Sequence, residues 1–269
     1  MYKLRLGVSV SGLYGTNLNR NFEHQIKRLK KLGFDSIDLD ITGCWRKDVY
    51  EERLSEYGPF MQILKENDMF FNGVHLPFGG YADISSRNEE LRLETLNLAV
   101  KTFNALDKYK PNCYIFHGSN EPITDEERPK LLDKLVDSLK FLRSKTTTMI
   151  CIENLPRTCL LNTAKEVNEV ISRVENINVC LDVNHFLKEK TQDAILEIGG
   201  VIKTLHISDH DYVDEKHWLP GQGSIDWQKV ISSLDKIGYN GVFNYEVSAN
   251  YDYEQIKENF DKIFDTYNK

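Results

Sequence analysis

No apolar run in this 269-residue chain approaches the length of a membrane span. Nor is there a basic excess: Asp and Glu number 41 against 34 Lys and Arg, a formal net charge of −7. Nothing therefore draws the chain as a whole toward nucleic acid or an anionic membrane. Low-complexity tracts, charge blocks and long linkers are missing, so a single domain over residues 1–269 is expected. The apolar stretch at the start, Met1 to Val10, is too short for a secretory signal and leads directly into a strand-like run, so a cytoplasmic protein is expected. Cysteines are few and odd in number: Cys44, Cys113, Cys151, Cys159 and Cys180. They form no C-x-x-C pair, which leaves a zinc ribbon or a thioredoxin-like site without support. Three of them lie in apolar runs, where buried, reduced thiols are the expectation. Gly221-x-Gly223 lacks the third glycine of a dinucleotide fingerprint and reads as a tight turn leading into a helix capped by Ser224 or Asp226.

What the chain does have is a repeated pattern. Six short apolar runs each end on a metal-type ligand: Phe70–His75, Cys113–His117, Met149–Glu153, Val179–Asp182 (with His185 just beyond), Ile202–His206 and Val242–Glu246. With two earlier strand-like runs, Leu4–Val10 and Ser36–Ile41, there are eight strands, and helical patterns separate them. Strands alternating with helices imply a parallel sheet, and eight such units close naturally into a (β/α)8 TIM barrel. The helix signals include Gly33 and Gly238 as stops, Thr163 as a cap for a helix to Val174, and Thr124 with Glu127 as a capping box for a helix over 125–144. Gly58-Pro59 predicts either a break in the helix over 53–67 or the start of its main segment.

In a barrel of parallel strands every terminal ligand leaves at one edge, the edge where barrels carry their chemistry. Glu153, Asp182, His206 and Glu246 form a carboxylate-rich set with one imidazole, suited to one divalent ion such as manganese, cobalt, magnesium or zinc. Three carboxylates converging on one mouth repel each other unless a cation or a shared proton intervenes. Any single histidine at a strand end is ordinarily a hydrogen-bonded or partly exposed residue. Five of the seven histidines, however, fall at strand ends or in the loops just after them: His75, His117, His185, His206 and His217. Chance placement does not give that set. In the loop after Glu153, Asn154 either orients the carboxylate or binds a substrate hydroxyl, and Arg157 either meets a hydroxyl-rich or anionic ligand or is a solvated charge. Trp45, Phe78 and Trp218 follow strands and are candidates to wall a sugar or to anchor loops.

The segments Ile152-Glu153-Asn154-Leu155-Pro156, Leu181-Asp182-Val183-Asn184-His185, Leu205-His206-Ile207-Ser208-Asp209, His217-Trp218-Leu219-Pro220-Gly221-Gln222-Gly223 and Tyr245-Glu246 resemble those of the xylose isomerase-like TIM-barrel superfamily, in particular its sugar and sugar-phosphate isomerases and epimerases. The resemblance runs over nearly the whole chain. It implies an enzyme of carbohydrate metabolism with a small-molecule sugar substrate, in which Glu153, Asp182, His206 and Glu246 hold one divalent metal and the two glutamates move a proton through an ene-diolate. It implies that His185 contacts a substrate hydroxyl, and that dimers or tetramers would be ordinary. His217 stands where ketose 3-epimerases carry an arginine. The chain is also similar to the type-IV apurinic endonucleases, which implies an alternative: up to three zinc ions on His75, His117, Glu153, Asp182, His185, His206, Glu215, His217 and Glu246, with DNA as substrate. Glu215 stands at that family's Asp position, and the loops after His117 and Glu153 depart from its pattern.

Overall fold

A computed structural model describes the backbone of residues 1–11, 18–41 and 50–269, and their side chains except at 11, 18–21, 51–53, 55 and 56. Trp45 and Cys44 lie outside the described residues. Eight parallel strands, β1 (Arg5–Ser11), β2 (Ser36–Asp40), β3 (Phe70–His75), β4 (Cys113–His117), β5 (Met149–Glu153), β6 (Ile177–Asp182), β7 (Ile202–His206) and β8 (Val242–Tyr245), lie in the order β7-β6-β5-β4-β3-β2-β1-β8. The seam between β7 and β8 is joined where the Ile207 amide donates to the Asn244 carbonyl (2.8 Å) and the Glu246 amide donates to the Ile207 carbonyl (3.0 Å). The expected (β/α)8 barrel is thereby formed.

The helices α1 (Leu18–Leu32), α2 (Tyr50–Glu66), α3 (Glu89–Leu106), α4 (Arg128–Arg143), α5 (Ala164–Arg173), α6 (Thr191–Ile198), α7 (Trp227–Lys236) and α8 (Tyr253–Tyr267) cover the outside. Several boundaries follow the sequence signals closely. Thr163 caps α5, Asp226 caps α7, and Gly33 and Gly238 close their helices with φ of 89° and 69°, a region that glycine enters without a Cβ clash. Two expectations are corrected. Helix α2 runs without a break through Pro59. There, Gly58 lets the Tyr109 hydroxyl approach to where a Cβ would lie only 2.5 Å away, so packing of the loop against the helix outweighs the missing N–H. Helix α4 starts at Arg128 instead of 125. Glu127 Oε2 does accept from the Thr124 amide (3.1 Å), but both its oxygens also take hydrogen bonds from Arg87 (2.6 and 2.7 Å), and the residues between remain a turn.

Alternation along each strand divides the molecule into two interiors. Outward residues such as Ile37, Leu39, Tyr114, Ile150, Ile152, Val179, Leu181, Leu205 and Phe243 are buried against the helices in one continuous apolar cluster. Inward positions are smaller or polar. Cys113, Cys151 and Cys180 pack together with Ile115. Around them lie Ser36, Asp38, Asn72, Thr204 and Asn244, all buried. The register slips once in β3, where Ile37 pairs with Phe71 and Asp38 with Gly73, leaving Asn72 as a bulged residue. Its carboxamide donates to Asp38 Oδ1 (2.6 Å) and, across the barrel, to Thr204 Oγ1 (2.9 Å).

Candidate metal centre

The polar strand ends converge as parallel strands require. Ligand atoms of Glu153, Asp182, His206 and Glu246 all lie within 4.8 Å of each other. Glu153, at the end of β5, is 1% exposed and sits at the middle. Its Oε1 lies 2.9 Å from His206 Nδ1, and its Oε2 lies 3.0 Å from His75 Nε2 and 3.4 Å from His117 Nε2. Glu246 Oε2 lies 2.8 Å from the same His206 Nδ1. Asp182 is held from behind: the Asn154 carboxamide donates to its main-chain carbonyl and accepts from its amide, each at 2.8 Å, while the Asn184 amide donates to Oδ1 (2.6 Å). The Asn154 carboxamide is therefore engaged with the main chain of Asp182 and fixes that residue's backbone rather than the Glu153 carboxylate.

Two further donor groups flank this one. Glu153 is shared with His75 and His117 on one side, and His185, Glu215 and His217 form the other. His185 Nε2 meets Glu215 Oε2 at 3.1 Å. In each of His75, His185 and His217, Nδ1 lies against a main-chain carbonyl, of Leu76 (3.0 Å), Asn154 (2.8 Å) and Glu246 (3.0 Å) respectively. A carbonyl accepts only, so the proton belongs on Nδ1 and Nε2 is left to serve the cavity.

Electrostatics show how much negative charge is concentrated here. Burial pushes the Asp182 carboxyl up to about 7. Burial acts on Glu153 in the same sense, but His206 and His117 hold it well below the usual carboxylate range. Burial likewise opposes ionisation of Glu246, yet His206 brings it to about 2. The imidazoles answer in kind. Burial disfavours their protonation, but Glu153 raises His75 to about 9, and Asp182 with Glu215 raises His185 to about 10. Burial likewise disfavours protonation of His206, and Cys180, Glu246 and Glu153 hold it well above the ordinary value. His117 alone among them is lowered, by burial. Glu215 is brought to about 2, chiefly by its hydrogen bond with His185.

Protonated imidazoles thus occupy the electrostatic role of a cation. Asp182 Oδ2 is buried without a hydrogen-bond partner, and Glu246 Oε2 meets only a nitrogen, His206 Nδ1, that Glu153 Oε1 already engages. Unpartnered carboxylate oxygens in a buried cluster are costly unless a cation meets them. The mixed oxygen and nitrogen donor set fits a divalent ion of intermediate hardness.

The cluster floors a cavity of about 290 Å³ walled by Phe78, Ser119, Asn120, Glu121, Leu155, Pro156 and Arg157. Phe78 stacks on His117 with centroids 3.9 Å apart. The Arg157 guanidinium is held by acids from two other loops: it donates to Glu121 Oε1 (2.7 Å), Asp214 Oδ1 (2.8 Å) and Glu215 Oε1 (2.7 Å). Arg157 and His217 both adopt left-handed backbone, φ 49° and 50°, which costs a non-glycine residue roughly 1–3 kcal/mol. The loop carrying Glu215 and His217 is anchored by Asp209, whose carboxylate accepts from the amides of Gly221 (2.7 Å) and His210 (2.9 Å) and from Trp227 Nε1 (2.9 Å). Gly223 presses on that carboxylate so closely that a Cβ would lie 2.3 Å from it. Asp38, Glu121, Asp214 and Asp209 were not singled out in the sequence. For Asp38 and Asp209 a signal existed: an acid beside an apolar run, where an unpaired carboxylate is rarely tolerated.

The family model of the xylose isomerase-like TIM barrel matches residues 26–265, and the chain belongs to that family. Among characterised relatives it is similar to an inosose isomerase of Bacillus velezensis, 25% identical over 246 residues covering 85% of this chain and 84% of the relative. It is also similar to the uncharacterized protein MJ1188 of Methanocaldococcus jannaschii, 28% identical over 173 residues, or 61% and 62% of the two chains. Among solved structures, a D-tagatose 3-epimerase-like protein superposes with a TM-score of 0.77 at 18% identity, covering 98% of this chain and 97% of the other. The 3-keto-D-glucoside 4-epimerase YcjR from E. coli gives 0.76 at 18% identity, with 98% and 100% covered. At that identity the superpositions speak for the fold.

Proposed function

We propose that the chain is a divalent-metal-dependent isomerase or epimerase acting on a free polyhydroxy carbonyl compound. The observation that carries the reading is the group Glu153, Asp182, His206 and Glu246, whose ligand atoms lie within 4.8 Å of one another, with Asp182 Oδ2 buried and without a hydrogen-bond partner. The relative named inosose isomerase and the epimerases of like fold support it.

A divalent ion held by these four residues would supply Lewis-acid stabilisation of the charge on an ene-diolate. The chain's own residues do the rest. Glu246, a third exposed at the cavity wall, takes the proton alpha to the carbonyl, and Glu153 or Glu246 itself returns it. His185, fixed at Nδ1 by the Asn154 carbonyl, meets a substrate hydroxyl through Nε2 when that hydroxyl takes the place of Glu215 there. Phe78 offers an apolar face to the C–H side of the substrate. Among the described residues lining the cavity, Arg157 is the one guanidinium, and three carboxylates already hold it. A neutral polyol suits such a lining better than a phosphate ester.

The test is solvent exchange. Metal-reconstituted protein is incubated in deuterated water with an inosose and with free ketohexoses, and loss of the alpha proton is followed by NMR. Wild-type protein exchanges it; Glu246→Gln slows exchange by about a hundred- to ten-thousand-fold. Undiminished exchange in the variant removes Glu246 as the base, and no exchange by wild type on any polyol removes the reading.

The two flanking donor groups favour a second reading, a phosphodiesterase of the apurinic endonuclease kind with up to three zinc ions and DNA as partner. Metal content separates the two: one ion per chain supports the isomerase, three support phosphodiester cleavage, and incubation with abasic duplex DNA checks the result.

A further inference from the structure

Behind the ligand group, inside the barrel, lies a carboxylate that the chemistry above leaves without a role. Asp38 is 1% exposed on β2, and its Oδ1 accepts from Asn72 Nδ2 (2.6 Å) and the Gly73 amide (2.9 Å). Its other oxygen, Oδ2, has no hydrogen-bond partner and lies 3.4 Å from His206 Nε2, which has none either. The opposite nitrogen of the same ring, Nδ1, faces Glu153 Oε1 (2.9 Å) and Glu246 Oε2 (2.8 Å). The ring is thus suspended between the ligand group and Asp38.

The surroundings fix Asp38 in place. The bulge in β3 turns Asn72 into the lumen, and its bond to Thr204, two residues before His206, ties both ends of the Asp38–His206 pair across the barrel. Gly73 leaves the space: a Cβ there would lie 2.7 Å from Asp38 Oδ2.

We infer that Asp38 is a positioning residue that sets the tautomer of His206. Nδ1 faces two carboxylates at 2.8 and 2.9 Å, and a cation that joins them must take its lone pair; the one proton left on the ring then belongs on Nε2, the nitrogen that faces Asp38 Oδ2. With the proton on Nε2, the Nδ1 lone pair is free and points at the ligand group, the form a cation requires. The inference rests on the metal-dependent reading above.

Asp38→Asn makes the discriminating change at nearly constant volume. The amide oxygen continues to accept from the Gly73 amide, which turns the NH₂ toward His206 Nε2. That nitrogen must then accept, and the proton moves to Nδ1, where it blocks the cation. Zinc affinity is measured by competition with a chromophoric chelator, and the tautomer by long-range ¹H–¹⁵N correlation on zinc-loaded protein labelled in its imidazoles. In wild type we expect zinc on Nδ1 and a proton on Nε2 of His206. In the variant we expect affinity about 10–100-fold lower, with His206 Nε2 unprotonated.

Unchanged affinity overturns the inference. So does weakened affinity with Nε2 still protonated, which marks a merely structural role. If the variant does not fold, the wild-type spectrum decides alone, since zinc on Nε2 overturns the inference. Wild-type protein that takes up no zinc overturns the metal-dependent reading together with it, whereas zinc uptake on the wrong nitrogen sinks this inference only.

Discussion

The space between strands and helices and the space inside the barrel are both buried, yet they are built from different residues. The outer one is a continuous field of Ile, Leu, Val and aromatic side chains. The inner one holds Ser36, Asp38, Asn72, Thr204 and Asn244 with three thiols, and is roofed by carboxylates and imidazoles. Apolar burial is non-directional and roughly proportional to area, so the shell holds the fold together without specifying any contact. Buried polar groups are directional and costly when unpaired, so the lumen gives up stability to aim particular atoms. Substitutions in the two layers should therefore separate folding from chemistry.

The largest expected effect is in the shell. Phe243 is fully buried and rings with Phe260, Phe264 and Tyr245, and Phe243→Ala should cost about 3–5 kcal/mol. Denaturant unfolding reads the loss, and protein that remains folded should keep wild-type metal affinity; a matching drop in affinity would break the division. Next, Glu153→Ala removes the carboxylate shared by two donor groups. Metal retention on dialysis should fall by more than about a hundredfold, beyond what loss of an outer partner costs, while the apolar shell keeps its cooperative transition.

A smaller effect follows from protonation. In the metal-free protein Asp182 holds its proton up to about pH 7, and His206 holds one well above the ordinary imidazole range. Both must be shed for metal to bind. Affinity should accordingly rise with pH through 7 and beyond, by roughly tenfold per unit for each proton displaced, and level off once both are lost. Chelator competition at pH 6, 7 and 8 measures the slope; a flat profile would mean the two groups are not ligands. The smallest effect is remote from both interiors. Asp252 caps α8 in a capping box with Gln255, and Asp252→Ala should cost about 1 kcal/mol by thermal unfolding and leave metal affinity alone.

The sequence is most informative about the shell and the rim. Continuous apolar runs such as Met149–Glu153 locate strands, and their last residues are the ones gathered into one group because parallel strands all exit at one edge. It is far less informative about the lumen. Asp38 is one acid in an otherwise ordinary strand pattern, and only the bulge at Asn72, set by pairing between strands, shows what it faces. Arg157 has the same difficulty: its partners Glu121, Asp214 and Glu215 come from loops 36 to 58 residues away, and no local rule pairs them. Pro59 misleads for a related reason, because a local breaker is overruled by packing.

The seam between β7 and β8 carries one last consequence. Two backbone hydrogen bonds through Ile207 fasten it, and the amide of Glu246 makes one of them, directly beside His206. The staves on either side of the gap thus carry two of the four residues proposed to grip the ion, which then works as a buckle on the hoop. Stripping the ion should speed hydrogen–deuterium exchange at the Ile207 and Glu246 amides more than at those of β4 or β5, and equal acceleration everywhere would show that the hoop stays fastened without it.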